Sequence, residues 1–206
     1  MHETGAQITQ YLEAYAQSGD ANAQFVLGLR AFHQGDCEEA EQWFRQAERL
    51  QNPRALTFLG RLALDRGDLT TAATYIERGL AAGDPHASLQ MALLEEARGY
   101  PTTRVLALIT EAASSGNVDA MLQLGCRLAS SDPAASEKWM IRAANLGSVV
   151  AMHNLAETYR SQGKVHRSDV YARRATLYAP HEGSRIPNIF VERFIETNPH
   201  TADDAG

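Results

Sequence analysis

Residues 52–83 read NPRALTFLGRLALDRGDLTTAATYIERGLAAG, and this stretch holds one complete structural unit. Asn52 offers a side-chain acceptor for the free amides of a helix start, and Pro53 stands in the first turn, where a missing amide hydrogen is harmless. Ala55, Leu59 and Gly60 follow at helical spacing. Arg66-Gly67-Asp68 then breaks the helix, and a second helical pattern carrying Ala72, Tyr75 and Gly79 ends near Ala82-Gly83. The unit is two helices joined by a short turn.

The unit recurs in both directions. Small anchors at Ala23, Ala55, Ala87, Ala120 and Ala151 are spaced by 32, 32, 33 and 31 residues. Four positions after each anchor comes an apolar residue (Leu27, Leu59, Met91, Leu124, Leu155), and next to it a small one (Gly28, Gly60, Ala92, Gly125, Ala156). A second small residue precedes each next anchor by eight positions: Ala47, Gly79, Ala112 and Ala143, with Ala175 in step. A period near thirty with two helical patterns per unit is the signature of an α-solenoid. The sequence therefore predicts an all-α fold, a right-handed α-α superhelix of about five helix-turn-helix repeats with a capping helix at each end.

The differences in period sit in the turns. Arg98-Gly99-Tyr100-Pro101 makes the third inner turn one residue longer, and Ser131-Asp132-Pro133 makes the fourth one shorter, so both helices of each unit stay in register. Repeat one opens where Asp20 or Asn22 can cap its first helix, and Glu38, Glu39 and Glu41 suit the positive end of its second. The expected organisation is an N-terminal cap over 1–19, five repeats over 20–180, a C-terminal cap over 181–197 and a disordered tail over 198–206. The second cap rests on Ile186, Ile189, Phe190, Phe194 and Ile195 at helical spacing.

Composition narrows the function. The chain has 206 residues, a formal charge of −6 and only 7% aromatic residues, an acidic balance that argues against broad nucleic-acid binding. No secretory signal and no run of eighteen apolar residues is visible, so a soluble cytoplasmic protein without membrane insertion is expected. Cys37 and Cys126 lie three repeats apart, too far for a disulfide, and are expected as free thiols. Charge is uneven. Residues 1–50 hold three arginines against eight acids, whereas 151–194 hold seven basic residues against four acids, a patch that either steers an acidic partner or is plain solvated helix surface.

The recurring small residues form triplets at the helix crossings: Gly28 with Ala40 and Ala47, Gly60 with Ala72 and Gly79, Gly125 with Ser136 and Ala143. Glycine inside a helix costs about 1 kcal/mol relative to alanine, so its return points to close helix approach. Trp43, Tyr75, Trp139 and Tyr171 recur at one position of the second helix, with Leu108 in the third copy. That column is either inter-repeat packing or a ligand surface.

Catalytic patterns are weak. His153 and Glu157 are four apart on one helix but lack a third ligand nearby, and a turn separates His33 from Cys37. No phosphate-cradling glycine loop, nucleophile elbow or paired zinc cysteines occur. The expectation is a chain with no catalytic residues, no metal site and no cofactor.

Leu27-Gly28, Gly35-Asp36, Ala40, Phe44 and Ala47, and again Leu59-Gly60, Gly67-Asp68, Ala72 and Gly79, resemble the tetratricopeptide pattern. The stretches Trp43-Phe44-Arg45-Gln46-Ala47 and Trp139-Met140-Ile141-Arg142-Ala143-Ala144, followed by Gly147, resemble the related Sel-one-like repeat. The resemblance covers Asp20 to Pro180 and implies a noncatalytic adaptor or scaffold whose first helices line a concave groove. Carried over by position, the groove is lined by Phe25, Leu29, Phe32, Arg54, Arg61, Leu89, Leu93, His153, Glu157 and Arg160. It would hold a partner protein or peptide with one hydrophobic anchor and flanking charge. Phe25 and Phe32 have a second reading, packing on the N-terminal capping helix. The alternative role is a regulatory or assembly subunit of an enzyme or cell-envelope complex, and a monomer is favoured.

Overall fold

The computed structural model describes residues 5–178, with side chains from Thr9 onward. Among these residues the structure is helical throughout: α1 (Gly5–Gln17), α2 (Ala21–Gln34), α3 (Cys37–Arg49), α4 (Pro53–Asp65), α5 (Leu69–Ala81), α6 (Ala87–Ala97), α7 (Thr102–Ser114), α8 (Val118–Leu128), α9 (Pro133–Asn145), α10 (Val149–Ser161) and α11 (Val165–Tyr178). Each helix packs chiefly on the one before it and the one after it, and α4 also touches α6. Antiparallel hairpins stacked in one row have this connectivity. The pairs from α2/α3 to α10/α11 coincide with the five sequence units, and α1 precedes them. The C-terminal cap expected over 181–197 and the tail over 198–206 lie outside the described residues.

The cap residues explain where the helices begin. Asp20, Asn52, Asn117 and Ser148 accept from the amides of Ala23, Ala55, Ala120 and Ala151 at 2.8–3.2 Å. Asp36, Asp68 and Asp132 do the same after the inner turns, accepting from Glu39, Thr71 and Ala135. The third copy departs from this scheme. Asp84 accepts from the His86 amide instead, and neither α6 nor α7 has a side-chain cap.

Two of the caps also bind backwards. Asn52 Nδ2 donates to the Ala21 carbonyl and to Asn22 Oδ1 in the previous repeat, and Asn117 Nδ2 donates to the Pro85 carbonyl. Aspartate lacks that donor, so an asparagine at this position joins neighbouring hairpins as well as starting a helix.

The anchor alanines Ala23, Ala55, Ala87, Ala120 and Ala151 are all fully buried. The core around them is aromatic at the N-terminal end: Phe25 packs on Phe44 and Phe58, with ring centroids 5.7 and 5.5 Å away, and Phe32 packs edge-on against Phe58 at 5.7 Å. Phe25 and Phe32 thus engage the second repeat. Further along, Met121, Leu124, Met140, Met152 and Leu155 take over.

The link between repeats one and two contains the one described non-glycine residue with positive φ, Gln51 at 61°. The matching position of the next link is Gly83, at 78°. A Cβ in left-handed backbone costs about 1–2 kcal/mol, partly offset by the entropy glycine loses on folding. Gln51→Gly should therefore raise stability by about 0.5–1 kcal/mol, read as a higher urea midpoint at unchanged slope.

Candidate partner-binding face

The first helices of the five pairs, α2, α4, α6, α8 and α10, form one side of the row. Near the end of α2, crowding around the ring lowers the His33 pKa below its ordinary value, and the charge of Asp119, on α8, partly restores it.

Seven of the ten residues expected to line this side keep surface there. Arg54, His153, Glu157 and Arg160 are exposed, and Phe32, Arg61 and Leu93 are half-buried. Phe25, Leu29 and Leu89 are instead core residues, 3, 4 and 4% exposed. Their register turns them into the seam between hairpins, where Phe58 of the next repeat covers Phe25. A partner would reach these three only by repacking the core.

Most charges on this side are held in pairs. Arg61 donates to Asp65 at 2.9 Å, Arg160 to Glu157 at 2.7 Å, and Arg127 makes a two-pronged contact with Glu96 of the preceding repeat at 2.6 and 2.8 Å. The hydrogen bond from Arg127 outweighs desolvation and holds the Glu96 carboxyl below its ordinary range. Arg30 reaches back to Thr9 and Glu13 on α1. Arg54 makes no ion pair among the described residues and lies 5.9 Å over the Phe25 ring. The face thus presents half-buried apolar side chains among charges already oriented by their neighbours.

The opposite side is built from the second helices. Trp43, Tyr75, Trp139 and Tyr171 are half-buried against the core. Arginines lie over three of them: Arg78 over Tyr75 at 5.5 Å, Arg142 over Trp139 at 4.5 Å and Arg174 over Tyr171 at 5.4 Å. Each of these arginines stands three residues further along the same helix, so the cover is made within one repeat. At the far end Tyr159 donates to Glu137 at 2.6 Å, and burial followed by that bond pushes its hydroxyl up to about 12.

Sequence reasoning named His33 but missed Asp119, whose charge acts on it from α8. Both cysteines are free and exposed. Cys126 accepts weakly from Asn154 Nδ2 at 4.0 Å, with no base against either thiol among the described residues. Glu157 is engaged by Arg160, and the described residues contain no group of three His, Cys, Asp or Glu placed to hold a metal. No helix among them is long and apolar enough to cross a membrane.

Comparison with known proteins agrees with this geometry. One tetratricopeptide repeat model matches residues 21–46 and 53–78, and another matches 149–176. No curated protein matches the chain. Among solved structures, a Sel1 repeat protein from Oxalobacter formigenes has a TM-score of 0.63 at 23% identity, covering 85% of this chain and 77% of that one. A putative Sel1 repeat protein from Klebsiella pneumoniae subsp. pneumoniae has a TM-score of 0.57 at 21% identity, covering 95% and 100%. At these identities the likeness establishes the fold. Repeats of this kind generally mediate protein–protein interaction, and their families are typically noncatalytic scaffolds.

Proposed function

We propose that this chain, a tetratricopeptide-like repeat protein with the Sel1-type solenoid fold, is a noncatalytic adaptor that holds a partner protein or peptide against its concave side. The observation that supports the reading is the row of first helices, along which Arg54, His153, Glu157 and Arg160 are exposed and Phe32, Arg61 and Leu93 half-buried. An extended or helical segment lying there would meet several repeats at once. Leu93 and Phe32 supply apolar contact, and Arg54, Arg61, His153, Glu157 and Arg160 set register and charge preference. Two exposed free thiols fit a reducing compartment, and the cytoplasm is the location we assign.

Arg61→Glu tests the groove. Arg61 is bound only to Asp65 one turn away, in a surface pair worth about 0–1 kcal/mol, so the variant should melt close to the parent. Partner capture, measured by affinity purification with mass spectrometry on parent and variant in parallel, should fall about tenfold for the specific partner. Equal recovery from both proteins would remove Arg61 and its neighbours from the binding surface.

A further inference from the structure

The same backbone positions meet wherever one repeat joins the next, so each seam can be judged against the others. Between repeats one and two, Asn52 donates to the Ala21 carbonyl and to Asn22, and Arg66 and Arg78 pair with Glu41 and Glu48. Between repeats three and four, Asn117 donates to the Pro85 carbonyl and Arg127 pairs with Glu96. Between repeats four and five, Tyr159 donates to Glu137, and Arg174 donates to the Ala144 carbonyl. Among the described residues, the seam between repeats two and three has only one such side-chain link, from Arg98 Nη2 to the Leu69 carbonyl at 3.4 Å.

The same seam strands polar atoms. Asp84 stands where Asn52 and Asn117 stand, but it carries a second carboxyl oxygen in place of the amide nitrogen. That Oδ2 is buried without a hydrogen-bond partner. Gln90 stands where Phe58 packs on Phe25, Phe32 and Phe44 of repeat one, and its Oε1 is likewise buried and unpartnered. Thr57 Oγ1 is a third such atom, beside Gly79, whose other side faces Ala87 of α6. Each of these atoms gives up water without replacing it. The buried apolar cluster here is also small, Ala63, Ala72, Ala73, Ile76 and Leu94, between larger clusters that end at Leu62 and begin at Leu89. Stability of a repeat array is close to a sum over repeats and the contacts between neighbours, so the weakest contact is where the row opens.

We propose that the seam between repeats two and three is a hinge on which α1–α5 and α6–α11 turn against each other as two blocks. The residues of the proposed groove divide across it, with Phe32, Arg54 and Arg61 on the first block and Leu93, His153, Glu157 and Arg160 on the second. Turning at this seam changes the spacing of the two sets and so fits the surface to partners of different shape. That consequence rests on the proposed groove, whereas the hinge does not. Asp84 is its central residue. An asparagine there would offer an amide to the Pro53 carbonyl, which occupies the place of Ala21 and Pro85 in the linked seams.

The chain carries its own probes. Its two cysteines, Cys37 and Cys126, are exposed and lie one in each block. Nitroxides on both, in the full chain without a partner, report the distances between the blocks by pulsed electron paramagnetic resonance. Cys126 paired with Asp169→Cys, in a Cys37→Ser background, lies within the second block and serves as the control. The parent pair should give a distribution broader than the control. Asp84→Asn should narrow it and slow hydrogen exchange in α6 about three- to tenfold, the effect of one added hydrogen bond, with exchange in α8–α11 unchanged. A parent distribution as narrow as the control would overturn the proposal. So would a broad one that Asp84→Asn leaves as it was, because the motion would then belong to another seam. Neither result depends on partner capture by Arg61→Glu, so hinge and groove fail separately.

Discussion

Phe44→Ala is expected to destabilise the protein by about 4 kcal/mol. The Phe44 ring is fully buried, lies 5.7 Å from the ring of Phe25 and 5.3 Å from that of Phe58, and fills the space left by the missing side chain of Gly28. A Cβ on Gly28 would come within 2.6 Å of the Phe44 ring. Aromatic contacts of this kind are worth about 0.5–1.5 kcal/mol beyond area burial. Phe44 belongs to repeat one and Phe58 to repeat two, so the truncation also loosens the seam between them. In an array where each repeat leans on its neighbours, the N-terminal hairpin should then open before the rest. Urea unfolding followed by circular dichroism should show a lower midpoint and a broadened or split transition, with exchange in α2 and α3 accelerated first. A midpoint equal to the parent's would mean that the cluster is not what joins the first two repeats.

The parts of this fold that are legible in the sequence are those that recur. The period, the paired helices, the turn residues and the small residues at the crossings appear four or five times, so chance departures in any one copy do not hide them. Asp36, Asp68 and Asp132 are recognisable as inner-turn residues for that reason, and the structure adds that all three accept from the amide three residues on. What could not be read depends on how one repeat meets the next. The burial of Phe25 is decided by Phe58, which is 33 positions away and carries no local signal. The effect of the Asp119 charge on His33 likewise joins residues three repeats apart, which no single repeat encodes.

The same limit applies to the charges. Glu41 reads as a helix-start acid, yet in the structure it binds Arg45 on its own helix and Arg66 of the next repeat. Partial burial raises its pKa, and the two arginines together outweigh that, holding it below the carboxylate range. Arg78 with Glu48 and Arg127 with Glu96 also span about one period, 30 and 31 residues. Exposed pairs like these contribute about 0–1 kcal/mol each. Their value lies in register, since a hairpin that slipped by one turn would misalign the whole set. Side chains fixed in this way from the neighbouring repeat give the surface a stable charge pattern, which suits the partner binding proposed for it.

Gly60→Leu is expected to cost about 3 kcal/mol, and Gly125→Ala should cost far less. A Cβ alone at position 60 would stand 2.7 Å from Ile76 Cγ1, 3.2 Å from the Ile76 amide nitrogen and 3.3 Å from the Ala72 carbonyl oxygen. Ile76 has no exposed surface into which to move, so a leucine forces α4 and α5 apart along their closest approach. At position 125 the nearest atoms are the Cε and Cγ of Met140, both at 3.0 Å, and methionine is the side chain best able to shift. Gly125→Ala also gains about 1 kcal/mol of helix propensity, so it should melt within about 1 kcal/mol of the parent. Denaturant melts of Gly60→Leu, Gly60→Ala, Gly125→Ala and the parent would separate the two crossings. A Gly60→Leu protein as stable as the parent would show that the crossing tolerates bulk, and that glycine recurs there for some reason other than helix approach.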